Sequence, residues 1–301
     1  MIKREPPRVS IGLPVYNGER YLPATLDSIL AQTFRDFELI ICDNASTDRT
    51  EEICRRYAAQ DTRIRYERHP RNLGAQYNLN RVVHLATGVY FKWASHSDIL
   101  APDFLARCAG VLDCNPDVVL CFSRQMMIDE EDNHLGQEPD DMYFCAPTPH
   151  ERLRLFFASD RVNQTSYGVI RTAALKGTPL LGDWYGADRA LLMELALHGC
   201  FERIDENLFF SRRFPGRSRN VVNKAAWFNP RARGGQVAGY WKHLLYSARM
   251  LRRTPMSPWE RLLCLGELAR QGWSRGAIWA PILARELTAA VSQTLRPQRG
   301  G

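Results

Sequence analysis

Residues 8–53 read RVSIGLPVYNGERYLPATLDSILAQTFRDFELIICDNASTDRTEEI, and the order of signals in this stretch decides the fold. RVSIGLPVY is a nearly unbroken apolar run, as expected of a buried strand. YLPATLDSILAQ follows as a helix and FELIICD returns as a second strand. DRTEEICRRYAAQ then opens with Asp48 and carries Glu51 three places later, a capping-box pattern at a helix start.

Outward from there the alternation continues. IRYERH reads as a short strand, and GAQYNLNRVVHLA as a helix with Leu79, Val82, Val83 and Ala86 on one face. VYFKWAS is a strand, PDFLARCAGVLDC a helix and DVVLCFSRQMMI a strand. This order predicts an α/β fold, a mostly parallel sheet flanked by helices. After Asp129 the pattern loosens: DEEDNHLGQEPDDMY reads as an exposed acidic loop, and SYGVIRTAAL and ERIDENLFFSRRF as later strands. DRALLMELALHG reads as a helix with Gly199 as its C-cap.

Composition changes near residue 215. PGRSRNVVNKAAWFNPRARGG is basic, rich in Pro and Gly, and reads as a mobile loop. Beyond it, Ser257, Pro258 and Glu260 mark a helix start as N-cap, N1 proline and N3 acid. WERLLCLGELARQ and AIWAPILARELTAAVSQTL carry broad apolar faces. The expected division is therefore 1–215 as the α/β domain, with halves at about 1–100 and 101–215, and 216–301 as a basic loop plus a C-terminal helical extension.

The 301 residues, 45% apolar and 24% charged, suffice for a sizeable core, and no apolar run approaches the ~20 residues of a membrane span. MIKREPPRVSIGLP lacks a long apolar segment, so a signal peptide is not expected. The eight cysteines form no C-x-x-C pair and read as free thiols of a reducing cytosol. A net charge of +7 favours phosphate-bearing ligands or an anionic membrane face. The basic residues do not interleave with a stacking platform, which argues against nucleic acid.

In open α/β sheets ligands bind beyond the carboxyl ends of the strands. Four such ends carry polar residues here: Pro14 to Glu19, Asp43 to Asp48, Arg71 to Gly74, and Ser95 to Asp98. PVYNGERYLPATLDSILAQTFRDFELIICDNASTDRTEEI resembles the opening of the family 2 glycosyltransferases of GT-A fold, and RNLGAQYNLNRVVHLATGVYFKW matches that family's next block. The resemblance covers roughly residues 6 to 215. It implies an inverting transferase that moves a sugar from a UDP- or GDP-sugar to a hydroxyl of a glycan or lipid-linked glycan, in polysaccharide biosynthesis. It also implies that Pro14, Tyr16 and Glu19 line the nucleotide pocket and that Asp43 accepts from the base ring. Arg71 would sit near the base or phosphates, with Asn72 shaping the loop. Asp48 fits better as the cap of its own helix.

The family carries Asp-x-Asp, often with a further Asp, at the fourth strand end. One acid touches the ribose, and another binds Mg²⁺ or Mn²⁺ bridging the diphosphate. Here the positions read Ser95, His96, Ser97 and Asp98, resembling a bacterial W-A-x-H-D-D branch with serine in place of one acid. Ser95 and Ser97 then fall to the donor, and Asp98 and His96 are the candidate metal ligands. Three readings stay open: Asp98 and His96 hold the ion with water and diphosphate oxygens, the arginines neutralise the diphosphate unaided, or the site is catalytically weak.

GDWYGADRALLMELALHG resembles the segment that carries the family's catalytic base, which makes Asp188 the first candidate and Asp183 the second. Trp184 and Tyr185 offer stacking faces for a sugar or apolar bulk for the core. Arg212, Arg213 and Arg217, with Arg219, fall where relatives close a basic segment over the donor. A nucleotide-sugar-binding pseudoenzyme is the alternative that Ser97 motivates. A nucleotidyltransferase would need a Gly-rich, Lys-bearing phosphate loop, and none follows the first strand. The expected location is the cytoplasm, or peripherally the inner membrane face. Trp259, Trp273 and Trp279 with Arg261, Arg270, Arg275, Arg285 and Arg296 would dock the C-terminal helices on a membrane, on the catalytic domain or on a second copy.

Overall fold

The computed structural model describes residues 5–138, 143–159, 164–184, 186–214 and 239–274. Tyr185, Arg217, Arg219, most of the basic segment and everything after Ser274 lie outside the described residues. So do the side chains of residues 272–274, Trp273 among them.

β1 (Val9–Val15), β2 (Phe37–Asp43), β3 (Ile64–Arg68) and β4 (Tyr90–Trp93) form the parallel half of the sheet in the order β3-β2-β1-β4. The other half is mixed. β8 (Val169–Arg171) runs antiparallel to both β4 and β6 (Val118–Ile128), and β6 pairs in parallel with β9 (Cys200–Arg212). β5 (Ile99–Leu100) caps β9, and β7 (His134–Gln137) pairs with β6. β1 and β2 are buried nearly throughout because helices cover both faces of the sheet. Pro14 is tolerated in this central strand because β4 pairs with β1 only as far as Gly12, so the missing N–H interrupts no ladder there.

α1 (Leu22–Leu30), α2 (Thr50–Gln60), α3 (Ala75–Leu85) and α4 (Phe104–Cys114) are the helices read from the sequence. α3 lies so close on β1 that a Cβ on Gly12 would stand 2.7 Å from Val82 Cβ. α5 (Pro149–Ala158), opened by a Thr148–Glu151 capping box, and α6 (Thr172–Lys176) add to them. α7 (Ala187–His198), α8 (Gly239–Arg253) and α9 (Pro258–Ser274) complete the set. α9 packs on α5, and α8 on α7. Tyr246, Met250, Leu251 and Cys264 join the same buried cluster as β6 and α7, so the described C-terminal helices share the core of the sheet domain.

Four local readings change. The acidic stretch after Asp129 is a hairpin, because β7 takes up the free edge of β6. In SYGVIRTAAL only Val169–Arg171 is strand, and Thr172 begins α6. Gly199 is extended (φ 173°) rather than left-handed, and it is required for another reason: a Cβ there would meet Asp117 O at 2.4 Å. Cys145 and Cys200 form a disulfide, where the sequence reading had every thiol free, because β9 begins beside the segment that leads into α5.

Candidate active site

The four loops at the carboxyl edge of the parallel strands are laced together by their own side chains. Between the first two, Asn17 N–H donates to Ser46 Oγ (2.9 Å), Gly18 N–H to Thr50 Oγ1 (2.8 Å) and Thr47 N–H to Asn17 Oδ1 (2.8 Å). Asn17 and Ala45 both hold positive φ, 51° and 62°, which asparagine adopts readily and alanine keeps only when its surroundings impose it. Between the second and third, Asn44 Nδ2 donates to Asn72 Oδ1 (2.9 Å), and Asn44 Oδ1 accepts from Leu73 N–H (2.8 Å). Gly74, at φ 92°, turns the chain into α3. The His96 ring lies against Gly18, where a Cβ would come within 3.0 Å of it.

Tyr16 is 43% exposed at the lip of this crevice, and Pro14 is half-buried beneath. Asp43 is fully buried and has three protein partners. Ser46 N–H donates to it (2.8 Å), the Tyr66 hydroxyl donates to it (2.9 Å), and Arg68 Nε stands 3.3 Å away. Arg71 is exposed and makes no ion pair among the described residues. Glu19 does not turn to the crevice as expected: its carboxylate accepts from Arg49 N–H (2.9 Å), capping α2 from the neighbouring loop. Asp48 does hold the head of α2, accepting from Thr50 N–H (3.0 Å), and it also takes Glu19 N–H (3.0 Å). Glu51 does not close a capping box, because Arg55 and Arg68 claim it.

The SHSD loop is turned into the protein. Ser97 and Asp98 are buried, and the Ser95 and Ser97 hydroxyls share a hydrogen bond (3.1 Å). Asp98 Oδ1 accepts from Arg212 N–H (3.0 Å), and its carbonyl accepts from Thr25 Oγ1 (2.9 Å). The donor set does not fit a divalent ion held by the protein. One buried carboxylate faces a backbone amide, two neutral hydroxyls bond each other, and among the described residues no three His, Cys, Asp or Glu converge on a metal-sized site.

Arg212 and Arg213 are also not the open forks the sequence suggested. Arg212, with 1% of its side chain exposed, donates to Ser97 O (3.0 Å) and Asp129 O (2.6 Å), pairs with Asp132 and lies over the Tyr21 ring. Arg213 pairs with Glu138. β9 ends beside two loops full of carbonyl and carboxylate oxygens, and the guanidinium groups satisfy those first.

Sequence reasoning missed Lys92, whose signal was a lone lysine inside the strand GVYFKWAS. It is fully buried, donates to Trp93 O (3.0 Å) and Tyr167 O (2.8 Å), and lies over the Phe104 and Phe209 rings. A small pocket lined by Thr25, Ser95, Leu100 and Phe209 takes in both Lys92 and Asp98. Burial pushes the Asp98 carboxyl up to about 6 and the Lys92 ammonium down to about 8. An unfolded aspartate titrates near ~3.9, so between there and about 6 the native protein holds a proton the unfolded chain has lost. Stability from this group therefore falls as pH rises through that window. For Lys92 the unfolded chain holds the extra proton from about 8 up to roughly 10.4, so stability rises with pH there. Urea midpoints measured across pH should show both slopes, and Asp98→Asn should remove the acid-side slope alone. An unchanged acid-side slope in that variant would reassign it to another group.

Beyond β8, Gln76 Nε2 (2.8 Å) and Asn80 Nδ2 (2.9 Å) donate to Leu181 O and hold the loop before α7 over the first turns of α3. That loop carries Asp183, exposed and paired with Lys242 (2.6 Å). Trp184 packs edge-on to Tyr246, so its ring belongs in part to the core. Asp188 is exposed in the first turn of α7, after Gly186 at φ 87°, and accepts from Arg189 N–H (2.9 Å).

The family model for glycosyl transferase family 2 matches residues 10–176, more than half of the chain and all four crevice loops. The chain belongs to that family. Its sequence is 34% identical over 139 residues to an uncharacterized glycosyltransferase of Methanocaldococcus jannaschii, covering 46% of this chain and 48% of that protein. It thus spans about half the length of that curated relative. In fold it is similar to the 1–349 portion of S. aureus TarS, solved in complex with UDP-GlcNAc. There the TM-score is 0.65 at 18% identity, over 89% of this chain and 73% of that one. It is also similar to a mannosyltransferase from Pyrobaculum calidifontis, solved with GDP-Man and Mn²⁺. That match has a TM-score of 0.55 at 18% identity, over 96% of this chain and 76% of that one. These likenesses establish the GT-A fold. Among the described residues no helix is long and apolar enough to cross a membrane.

Proposed function

We propose that this family 2 chain is an inverting glycosyltransferase that takes a UDP- or GDP-sugar and transfers the sugar to a hydroxyl of a glycan or lipid-linked glycan. The observation that carries the reading is the set of loops bonded to one another at the carboxyl ends of β1 to β4, with Tyr16 exposed and Asp43 buried among them. In this reading Tyr16 and Pro14 offer the base a face, and Asp43 accepts from its ring N–H after Arg68 swings aside. Arg71, Asn72, Ser95 and Ser97 lie on the donor's ribose and phosphate side. Asp188 deprotonates the acceptor hydroxyl for in-line attack at the anomeric carbon, and Asp183, which pairs with Lys242, is the second candidate for that base. No step passes through a metal ion, because the described donor set does not fit one. The two-part division at residue 215 is proposed as a difference of role, with residues 1–215 carrying the transfer.

Asp43→Asn leaves an oxygen for Ser46 N–H and removes the charge from the pocket floor. Losing one charge-assisted bond should weaken nucleotide-sugar binding about ten- to a hundred-fold by calorimetry. Unchanged affinity would remove Asp43 from the site. A second reading, a nucleotide-sugar-binding protein with weak or no transfer, is favoured by the inward turn of Asp98. It predicts donor binding with no release of nucleoside diphosphate.

A further inference from the structure

The outer face of α9 is apolar where a surface helix should be polar. Trp259 is 67% exposed, Leu262 56% and Leu265 48%, and Gly266 and Ala269 lie exposed between and beyond them. At 100° per residue these five fall within one sector of the helix. Its two acids are on the other side: Glu260 accepts from His150 N–H (2.6 Å), and Glu267 pairs with Arg154 (2.7 Å) on α5. α8 contains no acid at all, and its exposed face carries Leu245, Ala248, Arg249 and Arg252. Arg270 flanks the α9 sector and also pairs with Glu267, leaving most of its side chain exposed. The described surface of this helical hairpin is thus apolar in the middle, cationic around it and free of unpaired acid.

We propose that the outer face of α8 and α9 docks on a bilayer rich in anionic phospholipid. The indole and the two leucines enter the headgroup boundary, and Arg249, Arg252 and Arg270 meet phosphate oxygens. Charge selects this occupant over the others. A second copy on a twofold axis would set arginines against arginines with no acid opposite. The chain's own residues 275–301 hold four arginines and one glutamate, the same sign as the surface. An apolar patch of this kind is uncommon on a soluble monomer without a partner.

The test is co-sedimentation of the full chain with phosphatidylcholine vesicles, with and without phosphatidylglycerol, at low and high salt. The protein should pellet with the anionic vesicles and be released by salt. Trp259→Ser/Leu262→Ser/Leu265→Ser should lower partitioning about tenfold or more, and Arg249→Gln/Arg252→Gln roughly fivefold per cation. None of these residues belongs to the proposed donor pocket, so donor affinity measured on the same samples should not change. Wild-type protein that stays in the supernatant with anionic vesicles at low salt would overturn the proposal. So would pelleting of both variants equal to that of the wild type. A dimer in sedimentation velocity that the serine variant dissolves would assign the face to a second copy instead.

Discussion

Asp188→Asn should abolish sugar transfer while leaving donor binding near normal. A positioned general base contributes about 10²–10⁴-fold to rate, and the amide cannot take the acceptor's proton. Asp188 suits the part by position. It lies in the first turn of α7, behind a loop that Gln76 and Asn80 fasten to α3. Its exposure keeps it open to an acceptor, and among the described residues its carboxylate accepts from the amide of Arg189. The substitution is nearly isosteric at a surface site, so stability should move by less than about 0.5 kcal/mol. Turnover comparable to wild type would move the role to Asp183, whose carboxylate Lys242 already holds.

Glu194→Ala should cost about 3–5 kcal/mol of stability, the range for breaking a buried ion pair by deleting one partner. Glu194 is fully buried in α7 and is held from α8 by the Arg253 guanidinium and the Tyr246 hydroxyl. Deleting the carboxylate takes from the buried Tyr246 hydroxyl and the half-buried Arg253 guanidinium the acceptor they share. Glu194→Gln keeps the shape and one oxygen and should cost less. Urea unfolding is the measurement. A change within about 0.5 kcal/mol would mean that α8 does not depend on α7 in solution.

The half of the fold that could be read from sequence is the half built from local signals. β1 to β4 and α1 to α4 follow from apolar runs alternating with a helical period, and the structure has each of them. β5 escaped because two residues carry no period, and β7 because its HLGQ is exposed and has no apolar run; they exist by pairing with β9 and β6. The antiparallel insertion of β8 between β4 and β6 is likewise decided by tertiary pairing. Among the candidate site residues, the places of Asp43, Tyr16 and Asp188 in the fold were legible because a strand end or a helix start fixes them. Partners were not. Glu19, Asp98, Arg212 and Arg213 have the chemistry of donor ligands, yet each is claimed by a group far away in sequence or in a neighbouring loop. A sequence shows that an arginine is present; only the packed chain shows which oxygen it has already met.

The measurement closest to the central claim is calorimetric titration of the full chain with UDP-, GDP- and dTDP-sugars, each with and without Mn²⁺. The crevice reading predicts saturable binding of one of these donors at a single site per chain, weakened by Asp43→Asn and unchanged by Asp188→Asn. It also predicts that binding does not require Mn²⁺, since the described residues offer that ion no site of their own. No saturable binding of any nucleotide sugar under either condition, or binding indifferent to Asp43→Asn, would contradict it.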